Sequence, residues 1–192
     1  AIAIALSASS ATAQKKYDTG ATDTEIKIGQ TVPFSGPASA YAGIGKTQAA
    51  YLKMINDQGG INGRKVRLII EDSAYDPKKA VLAAQKLVNQ DKVFIVAAHT
   101  GTAQNNASMP VQFEKNIINF MPVTAAREMY EPFHKLKYSF AATYYDQMRL
   151  GVPILVKEKN AKQICAMHQD DEFGLEVFRG AEAGLKTMGM QF

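Results

Sequence analysis

The sequence contains one cysteine, Cys165, three histidines and no tryptophan among its 192 residues. A single cysteine excludes a disulfide within the chain, so the hydrophobic core must stabilise the fold. His99, His134 and His168 are too far apart to match a metal-binding motif, and we predict no metal site and no cofactor. We expect the histidines in loops or on the surface, and Cys165 as a small buried hydrophobe.

The chain also has little excess of either positive or negative charge. The chain has 22 Lys and Arg against 18 Asp and Glu, for a net charge of +4. These residues are scattered, without the basic stripe that nucleic-acid binding requires, so no nucleic-acid partner is expected. With 46% apolar and 21% charged residues, the composition is that of a globular protein.

No apolar run approaches the roughly 20 residues that span a bilayer. The chain begins with a short apolar segment, Ala1–Leu6, and Ala11-Thr12-Ala13 follows after several serines. An apolar stretch before an A-x-A site is typical of a signal peptide. We therefore interpret residues 1–13 as the end of a signal peptide that has lost its start, and residues 14–22 as a flexible mature N-terminus. This predicts a periplasmic protein.

From residue 25 onward, apolar strand-like runs alternate with amphipathic segments of helical spacing. Strands are predicted at 25–32, 66–70, 93–98, 117–121, 138–142, 163–167 and 190–192, with helices between most of them. This pattern indicates an α/β fold with a parallel, doubly wound sheet. Ligands of such sheets bind beyond the carboxyl ends of the strands, in this chain at loops 33–42, 99–102, 122–127 and 168–173.

The segment Gly43-Ile-Gly-Lys-Thr47 is similar to the end of a phosphate-binding P-loop. The pattern G-x-x-x-x-G-K-[ST] would require glycine at position 40, which is Ala40, and a strand end closer than Val32. We therefore predict that Gly43 and Gly45 pack the start of a helix against the sheet, with Lys46 in solvent.

Other enzyme signatures are weak. Cys165 and His168 lie three residues apart on a predicted strand and would point to opposite faces, which excludes a local nucleophile and base. Asp170-Asp171-Glu172 is better explained by capping of the next helix than by metal binding. No catalytic residue is predicted.

Several short motifs occur together in order: Ser35-Gly-Pro37, Gly59-Gly-Ile-Asn-Gly63, Asp76-Pro77, Gly101-Thr102 with Asn105, and Asp170–Gly174. In this arrangement the chain resembles the extracytoplasmic solute-binding proteins of ABC importers, in the branched-chain amino acid (Leu/Ile/Val-type) group. The resemblance implies a type I periplasmic binding fold of two α/β lobes with a ligand in the cleft between them. Lobe 1 would span residues 23–142, and residues 143–192 would begin a truncated lobe 2. The expected partner is an ABC permease in the inner membrane, and the expected state is a monomer.

The expected ligand site combines this resemblance with helix electrostatics. Backbone amides and a hydroxyl at a helix N-terminus suit a carboxylate, and the motif match assigns this role to Gly101 and Thr102. The resemblance adds backbone groups of Val123 and Ala125. Many relatives carry Ser or Thr where Ala125 stands, so Thr124 is the candidate replacement for that hydroxyl.

Two aromatic residues complete the expected site. The resemblance implies that Tyr41 packs over the ligand from the first loop and that Phe173 closes the site from lobe 2. Some relatives carry a disulfide near Tyr75 and Thr100, which this chain cannot form. The ligand could be a branched-chain or related amino acid or an aromatic acid. A ligand-sensing regulatory domain and, less favoured, an enzyme remain the alternatives.

Overall fold

The computed structural model describes residues 16–192. The expected signal peptide therefore lies outside the described residues, as do the first two residues of the expected flexible segment. In the rest of that segment the Tyr17 hydroxyl donates to the Asp23 carboxylate, and the Arg64 guanidinium lies over the Tyr17 ring, 5.1 Å from its centre. The proposed division of the chain into leader and lobes stays a prediction.

The described residues form a five-stranded sheet and five α-helices. In chain order they are β1 (Glu25–Val32), α1 (Ala42–Asp57), β2 (Lys65–Asp72), α2 (Pro77–Gln85), β3 (Ile95–Ala97), α3 (Thr102–Glu114), β4 (Ile118–Phe120), β5 (Lys137–Tyr138), α4 (Tyr144–Lys159) and α5 (Glu172–Lys186). The sheet order is β2-β1-β3-β4-β5, and every neighbouring pair is parallel. This confirms the predicted parallel α/β sheet.

Helical segments cover both faces of β1. A Cβ at Gly29 would lie 3.2 Å from Leu87 and Val93, which belong to the segment after α2. A Cβ at Gly45 of α1 would lie 3.1 Å from Val32. Because Gly29 and Val32 are three residues apart on one strand, they face opposite sides, and the sheet is doubly wound as predicted.

The hydrophobic core lies on the Gly29 side of the sheet. It consists of buried side chains from the segment after α2 and from the central strands or the residues next to them: Leu87, Val88, Val93, Val96 and Ile117. Burial of apolar area of this kind is the main stabilising term in a domain without disulfides.

Local sequence signals placed the helix starts well. Asp76 caps α2 by accepting from the Lys79 amide at 2.9 Å, directly before a proline at the first helical position. Asp171 caps α5 by accepting from the Gly174 amide at 3.1 Å. The capping interpretation of the acidic run at residues 170–172 is therefore confirmed for Asp171.

Three expectations about single residues or segments were wrong. Residues 163–167 and 190–192 form no strand, because the described residues supply no neighbouring strand with which they could pair. Cys165, without that sheet to cover it, is exposed. Gly43 packs against nothing, since a Cβ there would meet no atom within 4 Å. His99 lies in the loop after β3, in line with its predicted place, although its side chain is fully buried.

The two C-terminal helices pack closely on each other through glycines of α5. A Cβ at Gly180 would lie 2.4 Å from the Tyr145 carbonyl oxygen, and one at Gly184 would lie 2.7 Å from that of Arg149. The contact fixes the start of α5, with Phe173, relative to Tyr144 at the start of α4.

Candidate functional site

A cavity of about 300 Å³ lies beyond the carboxyl ends of β1, β3 and β4. We call it the cleft cavity. The loops that follow these strands and the segment that enters α5 line it: Pro37, Ala38, Ala40, Tyr41, Tyr75, Thr100, Gly101, Thr102, Val123, Thr124, Tyr144, Gln169 and Phe173. The cavity is thus where ligands of parallel α/β sheets bind.

Backbone hydrogen bonds hold the central loops of the cleft cavity together beyond the regular strands. The Thr100 amide donates to the Thr31 carbonyl at 3.1 Å, and the Val123 amide donates to the His99 carbonyl at 2.9 Å. The Gly101 amide donates to the Val123 carbonyl at 3.3 Å. The sheet therefore continues as a narrow ladder into the site and sets the spacing of its two central loops.

Six of the seven predicted site residues line the cleft cavity: Tyr41, Gly101, Thr102, Val123, Thr124 and Phe173. Ala125 does not line it, and its carbonyl accepts from the Tyr144 amide at 2.9 Å. Both backbone groups of Val123 are engaged with its neighbours in the ladder. The Gly101 amide and carbonyl are engaged as well, so the groups that remain for a ligand at this end of the cavity come from the Thr102 amide and from the Thr102 and Thr124 hydroxyls.

Helix α3 begins at the cleft cavity without a side-chain cap. Its first residue is Thr102, and the first of its amides with a partner one turn back is that of Asn105, which donates to the Gly101 carbonyl at 3.1 Å. The preceding amides have no carbonyl partner within the helix, as at every helix start. They and the helix dipole make this end of the cavity attractive to an anion.

Gly101 is the residue that allows this helix start. Its φ is +101°, a conformation that side chains disfavour. A Cβ there would also lie 2.0 Å from the Gln104 side-chain oxygen and 3.0 Å from the Tyr75 ring. The backbone can therefore lie close to the cavity at this point only because the residue is glycine.

The hydroxyl groups of Thr102 and Thr124 form a buried hydrogen bond of 2.6 Å, and Thr124 also accepts from the Ala126 amide at 3.2 Å. Two hydroxyls carry two protons, and one of these protons fills the bond between them. Whichever oxygen is the donor, the pair retains one proton that a ligand oxygen can accept. This places Thr124, rather than Ala125, beside Thr102.

Asp72, at the end of β2, shapes the first loop of the site. Its carboxylate accepts from the Phe34 amide at 2.9 Å, the Ser35 hydroxyl at 2.6 Å and the Ala74 amide at 2.8 Å. Desolvation raises the pKa of Asp72, but the hydrogen bonds from Ser35, Ala74 and Phe34 outweigh it and leave the pKa below its usual value. The ionised carboxylate thus ties the loop that carries Tyr41 to β2.

Four polar or aromatic residues of the cleft cavity were not predicted from the sequence, namely Tyr75, Thr100, Tyr144 and Gln169. The Tyr75 ring lies beside Gly101, and its backbone carbonyl accepts from the Gln104 side chain at 2.7 Å. Burial, with a smaller effect of the nearby Asp171 carboxylate, raises the pKa of the Tyr75 hydroxyl, which also hydrogen-bonds Gln169. The signal was available, since Tyr75 follows β2 just as the predicted loops follow the other strands.

Phe173 and Tyr144 form one aromatic wall, with ring centres 5.0 Å apart in an edge-to-face arrangement. Tyr41, 54% exposed, also lines the cavity. Such rings supply apolar contact area for a ligand while the helix end supplies polar contacts.

A second cavity of about 510 Å³ lies between the loop at Arg127 and α5. Three glutamates and two arginines line it, and the Glu176 carboxylate accepts from the Arg127 amide at 2.9 Å. Desolvation raises the pKa of Glu176. Its carboxylates make this cavity less suited to an anionic ligand than the cleft cavity.

The remaining motifs contribute nothing to the site. Lys46 is exposed, as predicted, and does not line the cleft cavity. Among residues 16–192, no group of three or more His, Cys, Asp or Glu side chains could hold a metal ion. Burial lowers the pKa of His99 to about 3 and keeps the imidazole neutral.

The chain matches a known protein family over most of its length. A family model described as periplasmic binding protein matches residues 25–192. The chain belongs to the periplasmic binding protein family. This family match agrees with the expected type I fold and supports an extracytoplasmic location.

Curated relatives of the family are similar to the chain over most of its length. An amino acid binding protein of Pseudomonas aeruginosa is 28% identical over 170 residues, 87% of this chain and 45% of the relative. The Leu/Ile/Val-binding protein of Escherichia coli K12 is 27% identical over 165 residues, 84% of this chain and 44% of the relative. The chain thus spans about half the length of these relatives, which are binding proteins rather than enzymes.

Solved structures of the family share the fold. A fatty acid ABC transporter substrate-binding protein from Thermomonospora curvata has a TM-score of 0.79 at 24% identity, covering 92% of this chain and 45% of its own. An ABC transporter solute-binding protein from Rhodopseudomonas palustris, in complex with 3,4-dihydroxybenzoic acid, has a TM-score of 0.73 at 18% identity. It covers 86% of this chain and 45% of its own. No helix between residues 16 and 192 combines the length and the apolar character that a membrane span needs.

Proposed function

We propose that the protein captures a small carboxylate-bearing ligand in the cleft cavity as the substrate-binding component of an ABC importer. The observation that carries this proposal is the uncapped start of α3 at Gly101 and Thr102, which opens into the cavity beside the Thr102–Thr124 hydroxyl pair. Charge-assisted hydrogen bonds of this kind contribute about 1.5–3 kcal/mol each. Two of them would supply much of the roughly −8 kcal/mol of a micromolar complex.

The ligand class follows from what the cleft cavity offers. Its carboxylate end would lie at α3, and its remaining part would contact Tyr41, Val123 and Phe173. The names of the curated relatives favour a branched-chain or other amino acid. An aromatic acid is the second candidate, because the cavity carries four aromatic side chains and its described lining includes no charged side chain to pair with an ammonium group.

The two-lobe arrangement and the partner belong to the same proposal. Residues 23–142 would form lobe 1 and residues 143–192 would begin lobe 2, so that Phe173 and Gln169 approach the ligand from the second lobe. Closure of the lobes over the ligand would create the form that the ABC permease binds. We expect the binding protein itself to be a monomer.

The test is a thermal-shift screen of the full-length protein against amino acids, aromatic acids and the corresponding amides. A ligand at 100 times its Kd stabilises the native state by about 2.7 kcal/mol, which a shift in Tm reports. We expect stabilisation by at least one carboxylate and none by its amide counterpart. Stabilisation by amides alone, or chemical turnover of any ligand, would contradict the proposal.

A further inference from the structure

Asn105 is a fully buried residue of α3, one turn after the helix start, and does not line the cleft cavity. Its side-chain nitrogen donates to the His99 carbonyl at 2.9 Å and to the Gly101 carbonyl at 2.7 Å. Its side-chain oxygen accepts from the Asn119 side chain at 3.0 Å. Both donors and the oxygen of the amide are therefore engaged.

Asn119, on β4, is 1% exposed and also lies outside the cleft cavity. Its amide nitrogen donates to the Asn105 oxygen, and its own side-chain oxygen has no hydrogen-bond partner in the described structure. If the Asn105 amide turned over, its nitrogen would face the Asn119 nitrogen and its oxygen would face two carbonyl oxygens. Buried donors and acceptors without partners are costly, so the two carbonyls and the Asn119 nitrogen together favour the orientation observed.

This orientation bears on the anion-binding end of the cavity through one peptide unit. The Gly101 carbonyl and the Thr102 amide N–H belong to the same planar trans peptide and point in opposite directions. The Gly101 carbonyl is held by both the side chain and the backbone amide of Asn105, at 2.7 and 3.1 Å. Fixing that carbonyl therefore fixes the direction of the Thr102 N–H.

We propose that Asn119 and Asn105 are positioning residues, a two-amide relay that aims the Thr102 N–H at the ligand carboxylate. The predicted effect on ligand affinity rests on the proposed function. The hydrogen bonds of the relay exist in the free protein and can be tested without a ligand. Asn105 belongs to the Gly101-Thr102-x-x-Asn motif but does not line the cavity. The relay gives it a role in binding that does not require contact with the ligand. Asn119 acts on the site only through Asn105.

The relay can be tested without a ligand by ¹⁵N–¹H spectra of the free full-length protein. Asn105→Ala and Asn119→Ala should each shift the amide resonances of Gly101 and Thr102, and Asn119→Leu, of similar volume, should do the same if Asn119→Ala is poorly folded. Gln112→Met is the matched control. Gln112 is a fully buried amide on the same helix, and neither its nitrogen nor its oxygen has a hydrogen-bond partner in the described structure. Unchanged Gly101 and Thr102 resonances in the folded asparagine variants would overturn the relay.

Affinity is tested by calorimetry with L-leucine and with benzoate as probes. Loss of the relay should weaken binding about tenfold, the scale of one lost hydrogen bond. In a protein that already carries Asn105→Ala, the Asn119→Ala substitution should weaken binding by less than a further twofold. The effects of two substitutions on affinity do not add when one residue acts through the other. Additive losses would overturn the assignment of Asn119. If wild type binds neither probe, the proposed function fails for these ligands, and the spectra still decide the relay.

Discussion

The hydroxyl oxygens of Thr102 and Thr124 lie 2.6 Å apart and join the start of α3 to the loop that follows β4. The pair is buried, with 1% of Thr102 and 5% of Thr124 exposed. Because only one of its two protons is used within the pair, the second is available to a ligand. The two residues should therefore act on affinity as one unit.

Replacing either threonine with alanine should weaken carboxylate binding by about tenfold, since each change breaks the hydrogen bond that orients the remaining hydroxyl. The double variant should be only slightly weaker than each single one, because the two hydroxyls share one function. Calorimetry on the full-length protein measures both effects. Thr102→Ser keeps the hydroxyl and serves as the control; equal losses in the serine and alanine variants would refute this role.

Much of this architecture follows from local sequence signals. The cap at Asp76, the start of α3 after Gly101 and the long strand β1 depend on residues close in the chain, and each was predicted near its observed position. The strand predicted at 163–167 failed because a parallel strand exists only beside a partner, which local hydrophobicity does not report.

Part of the site was also predictable from local sequence signals. Gly101 and Thr102 follow a strand and begin a helix, which a single stretch of sequence reveals. The position of Tyr75 depends instead on two successive left-handed residues, Ala74 and Tyr75, with φ of +47° and +58°. Gly36 allows that turn, since a Cβ there would lie 2.4 Å from the Ala74 carbonyl oxygen. The end of β2 marks the loop that holds Tyr75, but the contact of that loop with Gly36, far away in the chain, leaves no local pattern from which its conformation could be predicted.

Two glycines near the start of α1 should respond to alanine in opposite ways. Gly43→Ala should stabilise the protein by up to about 1 kcal/mol, because alanine favours helix and its Cβ meets no atom within 4 Å. Gly45→Ala should destabilise it, since its Cβ would lie 3.1 Å from Val32 and 3.2 Å from Phe34. Urea unfolding of both variants gives the comparison. Equal changes of the same sign would show that helix propensity, not packing, governs this helix start.

Gly101→Ala should lower both stability and ligand affinity. It combines a φ of +101° with a Cβ only 2.0 Å from the Gln104 side chain, and strained backbone of this kind costs on the order of 1–3 kcal/mol. Gly189→Ala is the matched control, because its φ is +69° but a Cβ there would meet nothing within 4 Å. Thermal unfolding and calorimetry should show a larger loss of stability at Gly101, and a loss of affinity only there. A Gly101→Ala protein with full affinity would separate the helix start from the binding site.

Because His99 is buried, the free energy of unfolding should decrease as the pH drops below neutral. Its pKa of about 3 in the folded protein lies below the ordinary value of 6.5, so the unfolded chain takes up a proton first as the pH falls. The stability contributed by the neutral imidazole is therefore present above pH 6.5 and is lost between pH 6.5 and 3, by about 1.4 kcal/mol per pH unit. Urea unfolding of wild type and His99→Gln from pH 7 to pH 4 isolates this slope, because the other titratable groups are common to both proteins. The wild-type free energy of unfolding should fall more steeply than that of the variant; parallel curves would mean that His99 gains water or a proton acceptor in the folded state.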